Sequence, residues 1–583
     1  MNNKVKDSIK IPRPEFPRPD RFRSEWINLN GYWRFSFEEP PKADSREILV
    51  PFAWQSTLSG IADEENHPIG WYERSFTIPV EYEGKRIFIH FGAVDYKAEV
   101  WVNGLFVGEH EGGYTPFSFD ITGLVQAVGR ENILTVKVVD RTDPAQPRGK
   151  QAWTENPDRC WYVPSSGIWQ SVWIEAVGKI AIERFFITPD IDRRLIDIEL
   201  ELDGLVSDLI LETTIFFQGI QVVSHSTQLD SNRCRVVLPV READYVDEIH
   251  HWTPENPWLY DIVFTLFESD SQLDRIQSYF AMRSIRSSGG RIWLNNRPLY
   301  QRLVLDQGYW KESLLTAPDD QAFVCDITMI KKLGFNGVRM HQKIEDPRFY
   351  YWADKLGLLV WAELPSAYEF CRYEIENLNR DFLHFLSRDY NHPSIIVWVP
   401  FNESWGIRNV MTDARQQAVV KAFYWLAKAW DPIRLISGND GWEWVKSDVL
   451  GLHDYESDAD RMYEKLKSFD SLLEGSYDGK RKMIADGESY SGEPLLVTEF
   501  GGASFAGSGG WGYAEVVSDD NTFLARISAC IRALERSSRV SGWCYTQLTD
   551  VFQETNGLLD VERNCKVPLE RLVCALRGEE FIK

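Results

Sequence analysis

Two apolar runs in the C-terminal half of this 583-residue chain end on a glutamate: PSIIVWVPFNESWG stops at Asn402-Glu403, and PLLVTEFGG stops at Glu499, ahead of Gly501-Gly502. A carboxylate directly after a buried strand costs desolvation energy unless it is paired or used. One such residue reads equally well as a rim carboxylate in an ion pair; two, each closing a strand, suit a chemical pair. Carboxylates held about 5–5.5 Å apart can open an acetal in two displacements. One, its pKa raised by apolar surroundings or by the other's charge, protonates the leaving oxygen while the other attacks the anomeric carbon. The first then acts as base on the incoming water. Asn402, immediately before the first glutamate, is placed to hydrogen-bond a sugar 2-hydroxyl.

Such ends must be brought together by the fold. From residue 284 onward, short apolar runs alternate with amphipathic stretches, the strand-like runs falling at 299–304, 337–340, 358–361, 394–400, 434–437, 449–452, 495–498 and 542–546. DDQAFVCDITMIKKLG sets Phe323, Ile327 and Ile330 on one helical face, and QAVVKAFYWLAKAW does the same with Val420, Tyr424 and Leu426-Ala427. Eight parallel strands over roughly 300 residues fit a (β/α)8 TIM barrel, in which reactive groups sit at the C-terminal strand ends. Glu403 then closes the fourth strand and Glu499 the seventh. An open doubly wound sheet is the alternative, but no glycine-rich phosphate loop follows the first strand.

The rest of the chain reads as β. Residues 1–178 carry short alternating runs at 32–37, 72–78 and 86–91, and AEVWVNGLFVGEH places Asn103-Gly104 between two strands as a two-residue hairpin turn. A jelly-roll sandwich is expected there. Residues 179–283 contain IDIELELDG, LILETTIFFQG, CRVVLPV and LYDIVFTLFES, four strands suited to an immunoglobulin-like β-sandwich without the Cys-Trp-Cys spacing of the disulfide-bonded type.

The composition, 44% hydrophobic and 26% charged, is that of a globular protein. A net charge of −23 argues against a nucleic-acid partner. The 23 Trp and 23 Tyr suit sugar stacking, although aromatic packing in β domains accounts for most of them. Eight scattered cysteines, with no Cys-x-x-Cys pair and no Cys/His cluster, point to reduced thiols rather than a disulfide framework or a zinc site. The opening MNNKVKDSIKIPRPEFPRP has no apolar leader segment, and no stretch of about 18 apolar residues occurs, so no membrane partner and a cytoplasmic location are expected. No cofactor and no metal are expected from any motif. Edge strands of the β domains leave homo-oligomerisation open.

These segments together resemble glycoside hydrolase family 2, the group of β-galactosidases, β-glucuronidases and β-mannosidases, over nearly the whole chain. PRPEFPRPDRFRSEWINLNGYWRF, VPFAWQS, FGAVDYKAEVWVNGLFVGEHEGGYTPFSFDIT and SGIWQSVWIE are similar to its sugar-binding jelly roll, DYNHPSIIVWVPFNESWG to its acid/base motif and VTEFGG to its nucleophile motif. The resemblance implies a retaining exo-β-glycosidase acting on a β-linked glycoside or oligosaccharide, with Glu403 as acid/base, Asn402 on the 2-hydroxyl and Glu499 as nucleophile. It further implies Tyr455 as a hydrogen-bond donor to the nucleophile, Trp543 as a floor under the sugar and Arg339 as an orienter of the nucleophile region. RMHQKIEDP departs from the family's Arg-Thr-Ser-His-Tyr-Pro after the second strand, so His341 is a sugar-contact candidate that inherits no role.

Specificity rests on weaker signals. Asn564-Cys565-Lys566 imitates the Asn-x-Lys carboxylate reader of β-glucuronidases, but the corresponding stretch is 553–556, which has no lysine. An uncompensated uronate would be left desolvated, which favours a neutral sugar and, among neutral sugars, galactose. Candidate readers are Asp306, His341, Asp440, Trp442, His453 and Trp511, with Asp158, Arg159 and Trp161 reaching in from the jelly roll. A β-glucosidase, β-mannosidase, arabinopyranosidase or β-glucuronidase of the same family, and a non-catalytic carbohydrate-binding protein, are the competing readings.

Overall fold

In the computed structural model the described residues are 11–154, 156–204, 207–240, 249–474, 482–506 and 509–579. Residues 1–10, at the start of the stretch expected to lack an apolar leader, lie outside them, as do Gly507 and Ser508 of the loop carrying Trp511.

The first β region is two facing sheets, one of four strands and one of six. Strict period-two burial builds their common core. In Glu131–Val139 the residues Leu134, Val136 and Val138 point inward, toward Ile87, Ile89 and Phe91 of Arg86–Phe91. Each such buried side chain contributes about 1.5–3 kcal/mol, which pins the register. The expected hairpin joins Lys97–Val102 to Leu105–Glu111, with φ of 53° at Asn103 and 77° at Gly104, the left-handed pair that a tight hairpin turn requires.

A second sandwich, of three- and four-stranded sheets, follows. Its strands include Leu195–Leu202, Leu209–Phe217, Arg233–Pro239 and Tyr260–Glu268, the four expected, and add Ile182–Asp190, Ile220–Leu229 and Ser271–Phe280. Arg23 ties the two sandwiches, donating to Glu175 at 2.8 Å and to Asp274 at 2.8 and 2.9 Å. All eight cysteines are unpaired.

The C-terminal part is an eight-stranded sheet whose neighbouring strands pair in parallel. Its strands are Gln301–Asp306, Gly337–Met340, Leu359–Glu363, Ile395–Val399, Leu435–Ile436, Leu450–His453, Leu495–Gly501 and Val540–Thr546. In space the order runs fifth, fourth, third, second, first, eighth, seventh, sixth, which wraps the sheet round so that the fifth and sixth strands are its two ends. The helix Asp320–Lys332 buries Phe323, Ile327 and Ile330 as its periodicity predicts; Asp319 caps its start and Lys331 and Lys332 occupy its last turn. In Ala414–Trp430 the buried face is Val420, Phe423, Tyr424 and Ala427, with Leu426 only partly covered. One unit departs from the alternating pattern: residues 437–449, between the fifth and sixth strands, contain no helix and form a folded loop across the mouth. A small antiparallel sheet, Ile285–Ser288, Arg291–Leu294 and Arg297–Leu299, seals the opposite end, where Ile285, Ile292 and Leu294 share a core with Leu303, Leu359 and Val397. The strand ends are left to be reached from the C-terminal face, over which the jelly roll leans. Among the described residues no helix is long and apolar enough to cross a membrane.

Candidate active site

The fourth strand is wholly buried, and the chain turns sharply as it leaves it: Glu403 and Ser404 have φ of 50° and 53°. Left-handed backbone at non-glycine residues costs about 1–3 kcal/mol each and persists only where the surroundings enforce it. Here Glu403 donates its backbone N–H to the Asp440 carbonyl at 2.9 Å and Ser404 donates its own to Asn439 Oδ1 at 3.0 Å, so the helix-free loop after the fifth strand clamps the turn. On the seventh strand, Glu499 precedes Gly501 and Gly502, with φ of 92° and 71°. A Cβ on Gly501 would lie 2.4 Å from the Tyr545 ring, and one on Gly502 would crowd Tyr513 and Tyr455 at 2.9 and 3.1 Å. The glycine pair lets the strand turn while those rings close in.

Arg339, at the end of the second strand and fully buried, organises the floor. It donates to Glu363 at 2.8 Å, to the Thr498 carbonyl at 2.6 Å, to Asn402 Oδ1 at 3.1 Å and to Glu499 Oε1 at 3.3 Å, and it lies 3.1 Å from Asp440. Burial works against its charge, but Glu363, Asp440 and Glu499 overcome that and hold its proton more tightly than in water. Asn402, its Oδ1 taken by Arg339, leaves Nδ2 buried and without a partner among the described residues. Tyr455 donates its hydroxyl to Glu499 Oε2.

His453, ending the sixth strand, lies between the two glutamates. Its Nδ1 is 2.7 Å from Glu403 Oε1; its Nε2 is 3.2 Å from Asp440 and 3.4 Å from Glu499 Oε1. Burial alone would strip the ring of its second proton, but the charge of Glu499 and the hydrogen bonds to Asp440 and Glu403 raise it to about 10. Conversely, burial pushes Glu403 up while His453 pulls it down to about 2. The raised pKa expected of the acid is thus reversed: the two opposite shifts favour a carboxylate at Glu403 paired with an imidazolium at His453. One oxygen from each glutamate and one ring nitrogen all lie within 4.8 Å of one another. That is also a spacing a divalent cation can use, but both ring nitrogens already face carboxylates, and the imidazolium supplies the positive charge a metal would bring.

Aromatic rings form the walls. Trp161, from the jelly roll, packs edge-on against Trp405 at 5.2 Å and lies 6.0 Å from Tyr368. Trp153 stacks on Tyr368 at 3.8 Å, Trp442 lies 6.0 Å from Trp405, and Arg408 covers the Trp405 ring at 3.5 Å. Opposite them, Tyr513 stacks on Tyr455 at 4.4 Å and Trp511 stands edge-on to Tyr513 at 4.5 Å.

The mouth thus gathers Glu403, Glu499, Asn402, Arg339, Tyr455, His341, Trp161 and Trp511, together with Asp440, Trp442 and His453. Two expectations are corrected. Trp543 is not a floor residue: strand alternation turns Cys544 into the barrel interior and sends Trp543 outward, between Phe335 and Phe500 at 5.9 and 5.7 Å. Asp158 does not join the site; its side chain is 72% exposed and lies beside Arg159. His341 is held by Glu363, its Nδ1 2.8 Å from Oε2, and burial lowers its pKa. Lys566 binds Asp550 at 2.5 Å and the Thr555 carbonyl at 2.9 Å, and Asn564 binds Asp560, so the Asn-x-Lys imitation is a structural knot.

Three residues of the mouth are not among those the sequence singles out. Glu363 ends the third strand, a carboxylate closing a buried apolar run as in the segments of Glu403 and Glu499, so VWAELP carries the same signal. Lys150 lies in a loop with no such signal, whereas Glu554 falls in the stretch 553–556 that corresponds to the Asn-x-Lys reader and was read there only for its lack of a lysine.

The chain matches "Glycosyl hydrolases family 2, sugar binding domain" over residues 47–176, "Glycosyl hydrolases family 2" over 180–283 and "Glycosyl hydrolases family 2, TIM barrel domain" over 285–526. A beta-galactosidase of Thermoanaerobacter pseudethanolicus is 27% identical over 66% of this chain and 51% of its own length, and a beta-glucuronidase of Bacteroides fragilis is 25% identical over 70% and 60%. The chain therefore spans between half and two thirds of the length of these curated relatives. Among solved structures, a Bifidobacterium dentium beta-glucuronidase complexed with coumarin-3-O-glucuronide superposes with a TM-score of 0.78 at 20% identity, covering 96% of this chain and 98% of the other. A GH2 beta-galacturonidase from Eisenbergiella tayi bound to glycerol gives 0.76 at 20% identity, covering 98% and 100%. At such identities the superpositions speak to fold alone.

Proposed function

The chain belongs to glycoside hydrolase family 2, and we propose from that premise that it is a retaining, exo-acting β-glycosidase that removes a terminal neutral sugar, galactose before the others. The observation that carries this reading is the pair Glu403 and Glu499, with carboxylate oxygens within 4.8 Å of each other at the ends of two barrel strands. Inverting enzymes need a wider gap, about 6.5–9.5 Å, to admit a water between the groups.

In the proposed first step Glu499 attacks the anomeric carbon, the C1–O bond breaks, and the leaving oxygen takes a proton from Glu403. Arg339 and His453 on Oε1, with Tyr455 on Oε2, orient the nucleophile and compensate its charge. The proton for the leaving group is stored on His453 Nδ1, 2.7 Å from Glu403 Oε1; Glu403 takes that one proton from the ring and delivers it to the leaving oxygen, which leaves Glu403 a carboxylate and the ring neutral. In the second step Glu403 takes a proton from water, whose oxygen displaces Glu499, and His453 is recharged. The free Nδ2 of Asn402 is the donor for a 2-hydroxyl.

Galactose rests on the engagement of Lys566 elsewhere and on the name of the Thermoanaerobacter relative. A panel of nitrophenyl β-glycosides, with the product anomer read by proton NMR, tests the proposal. Release of β-galactose ahead of other sugars is expected; an inverted anomer would refute the two-step scheme, and a preference for glucuronide would refute the neutral sugar.

A further inference from the structure

Lys150 is 5% exposed and comes from the jelly roll, not the barrel. Its segment lies flat on the barrel rim: Gly149 donates to the Ser366 carbonyl at 3.0 Å, and a Cβ on Gly149 would lie 2.2 Å from the Gln342 carbonyl oxygen. Among the described residues the Lys150 ammonium has no hydrogen-bond or ion-pair partner, an arrangement that burial makes costly. Burial works to remove its proton, while the negative charges of Glu554 and Glu403 hold it on.

Glu554, in the loop after the eighth strand, is fully buried on the same side. Tyr162 joins the two: its backbone N–H donates to the Lys150 carbonyl at 2.7 Å, and its hydroxyl donates to Glu554 Oε2 at 2.5 Å. Glu554 Oε1 also accepts from Asn556 Nδ2 at 3.2 Å, and among the described residues Asn556 Oδ1 is buried without a partner. Opposite charges are thus built into one wall without closing into an ion pair, beside an unused acceptor.

We propose that Lys150 and Glu554 are the specificity-determining pair of this site, binding adjacent hydroxyls of a neutral sugar and excluding uronates. This rests on the glycosidase reading above. A hydroxyl accepts from an ammonium and donates to a carboxylate, so neighbouring hydroxyls satisfy both groups at once. A uronate would satisfy the lysine but bring its charge against Glu554. It would also enter a pocket where Glu363, Glu403, Asp440, Glu499 and Glu554 already outnumber Arg339, His453 and Lys150.

The test uses Glu554→Gln and Lys150→Met in the full chain, with kcat/KM on nitrophenyl β-galactoside and β-galacturonide, and calorimetric binding of galactose and galacturonate. Thermal melting identifies folded variants, and Lys150→Arg serves if the methionine variant does not fold. Glu554→Gln is expected to raise the uronide-to-galactoside ratio about tenfold or more, the scale of one charge-assisted hydrogen bond. Lys150→Met is expected to weaken galactose through KM by a similar factor. An unchanged ratio in folded Glu554→Gln would overturn the pair, as would a wild type that prefers galacturonate. Should wild type cleave nothing while the binding ratio shifts as stated, the glycosidase reading fails and the pair stands.

Discussion

His453 Nδ1 lies 2.7 Å from Glu403 Oε1, while the other nitrogen of the same ring reaches Glu499 and Asp440. This one ring therefore touches both glutamates, and the pH dependence of its pairing with Glu403 follows from the two shifts. The folded pKa of His453 is raised from 6.5 to about 10, so its stabilising contribution is complete below 6.5 and is lost as pH rises through 10. Glu403 is lowered from 4.5 to about 2, so its contribution is complete above 4.5 and is lost as pH falls through 2. Both act fully between 4.5 and 6.5. The melting-temperature gap between wild type and His453→Gln should be widest in that window and should close toward about pH 10. A gap that stays flat from about pH 5 to 10 would mean the ring is neutral in the folded protein.

The two glutamates should separate kinetically. Glu499→Gln is expected to abolish turnover of every glycoside. Glu403→Ala should slow substrates with poor leaving groups by about 10²–10⁴-fold, the usual range for a general acid, and spare dinitrophenyl glycosides in the first step. Added azide should restore its turnover and yield a β-glycosyl azide, detectable by mass spectrometry and NMR. An α-azide, or equal losses on good and poor leaving groups, would count against the assignment.

Arg339 compensates Glu363, Asp440 and Glu499 while fully buried. Removing one partner of such a buried network strands charges and typically costs about 3–5 kcal/mol. Arg339→Met should therefore lower the denaturation midpoint sharply, and Arg339→Lys should recover only part of it, because an ammonium cannot reach Glu363, Asn402 and Thr498 in the planar fork that Arg339 uses. Urea unfolding of the three proteins checks this; equal midpoints for the lysine variant and wild type would show that charge alone suffices.

Legibility in the sequence followed local physics. The eight strands and the turn at Asn103-Gly104 could be read because buried runs and φ > 0 turns leave signatures within a few residues. Glu403 and Glu499 could be read because a charge after a buried strand needs a reason. The phase of a strand was harder: Trp543 and Cys544 are neighbours, and which one faces the barrel axis depends on register shifts in the pairing of the seventh and eighth strands. The helix-free loop at 437–449 was invisible, because a short connection with Asn439, Asp440 and Trp442 does not show that it will clamp the turn at Glu403.

What the amino-acid order determined by itself was the run of elements and the two carboxylates at their ends, since burial period and desolvation act over a few residues. The pairing of His453 with Glu403 was decided only by tertiary structure, because it needs the ends of separate strands within hydrogen-bond reach. The placing of Lys150 and Glu554 on either side of Tyr162 was decided there too. Those two residues belong to different domains, and only the docking of the jelly roll on the barrel rim, through Tyr162 and Gly149, brings an ammonium to a mouth that its own strands furnish with carboxylates.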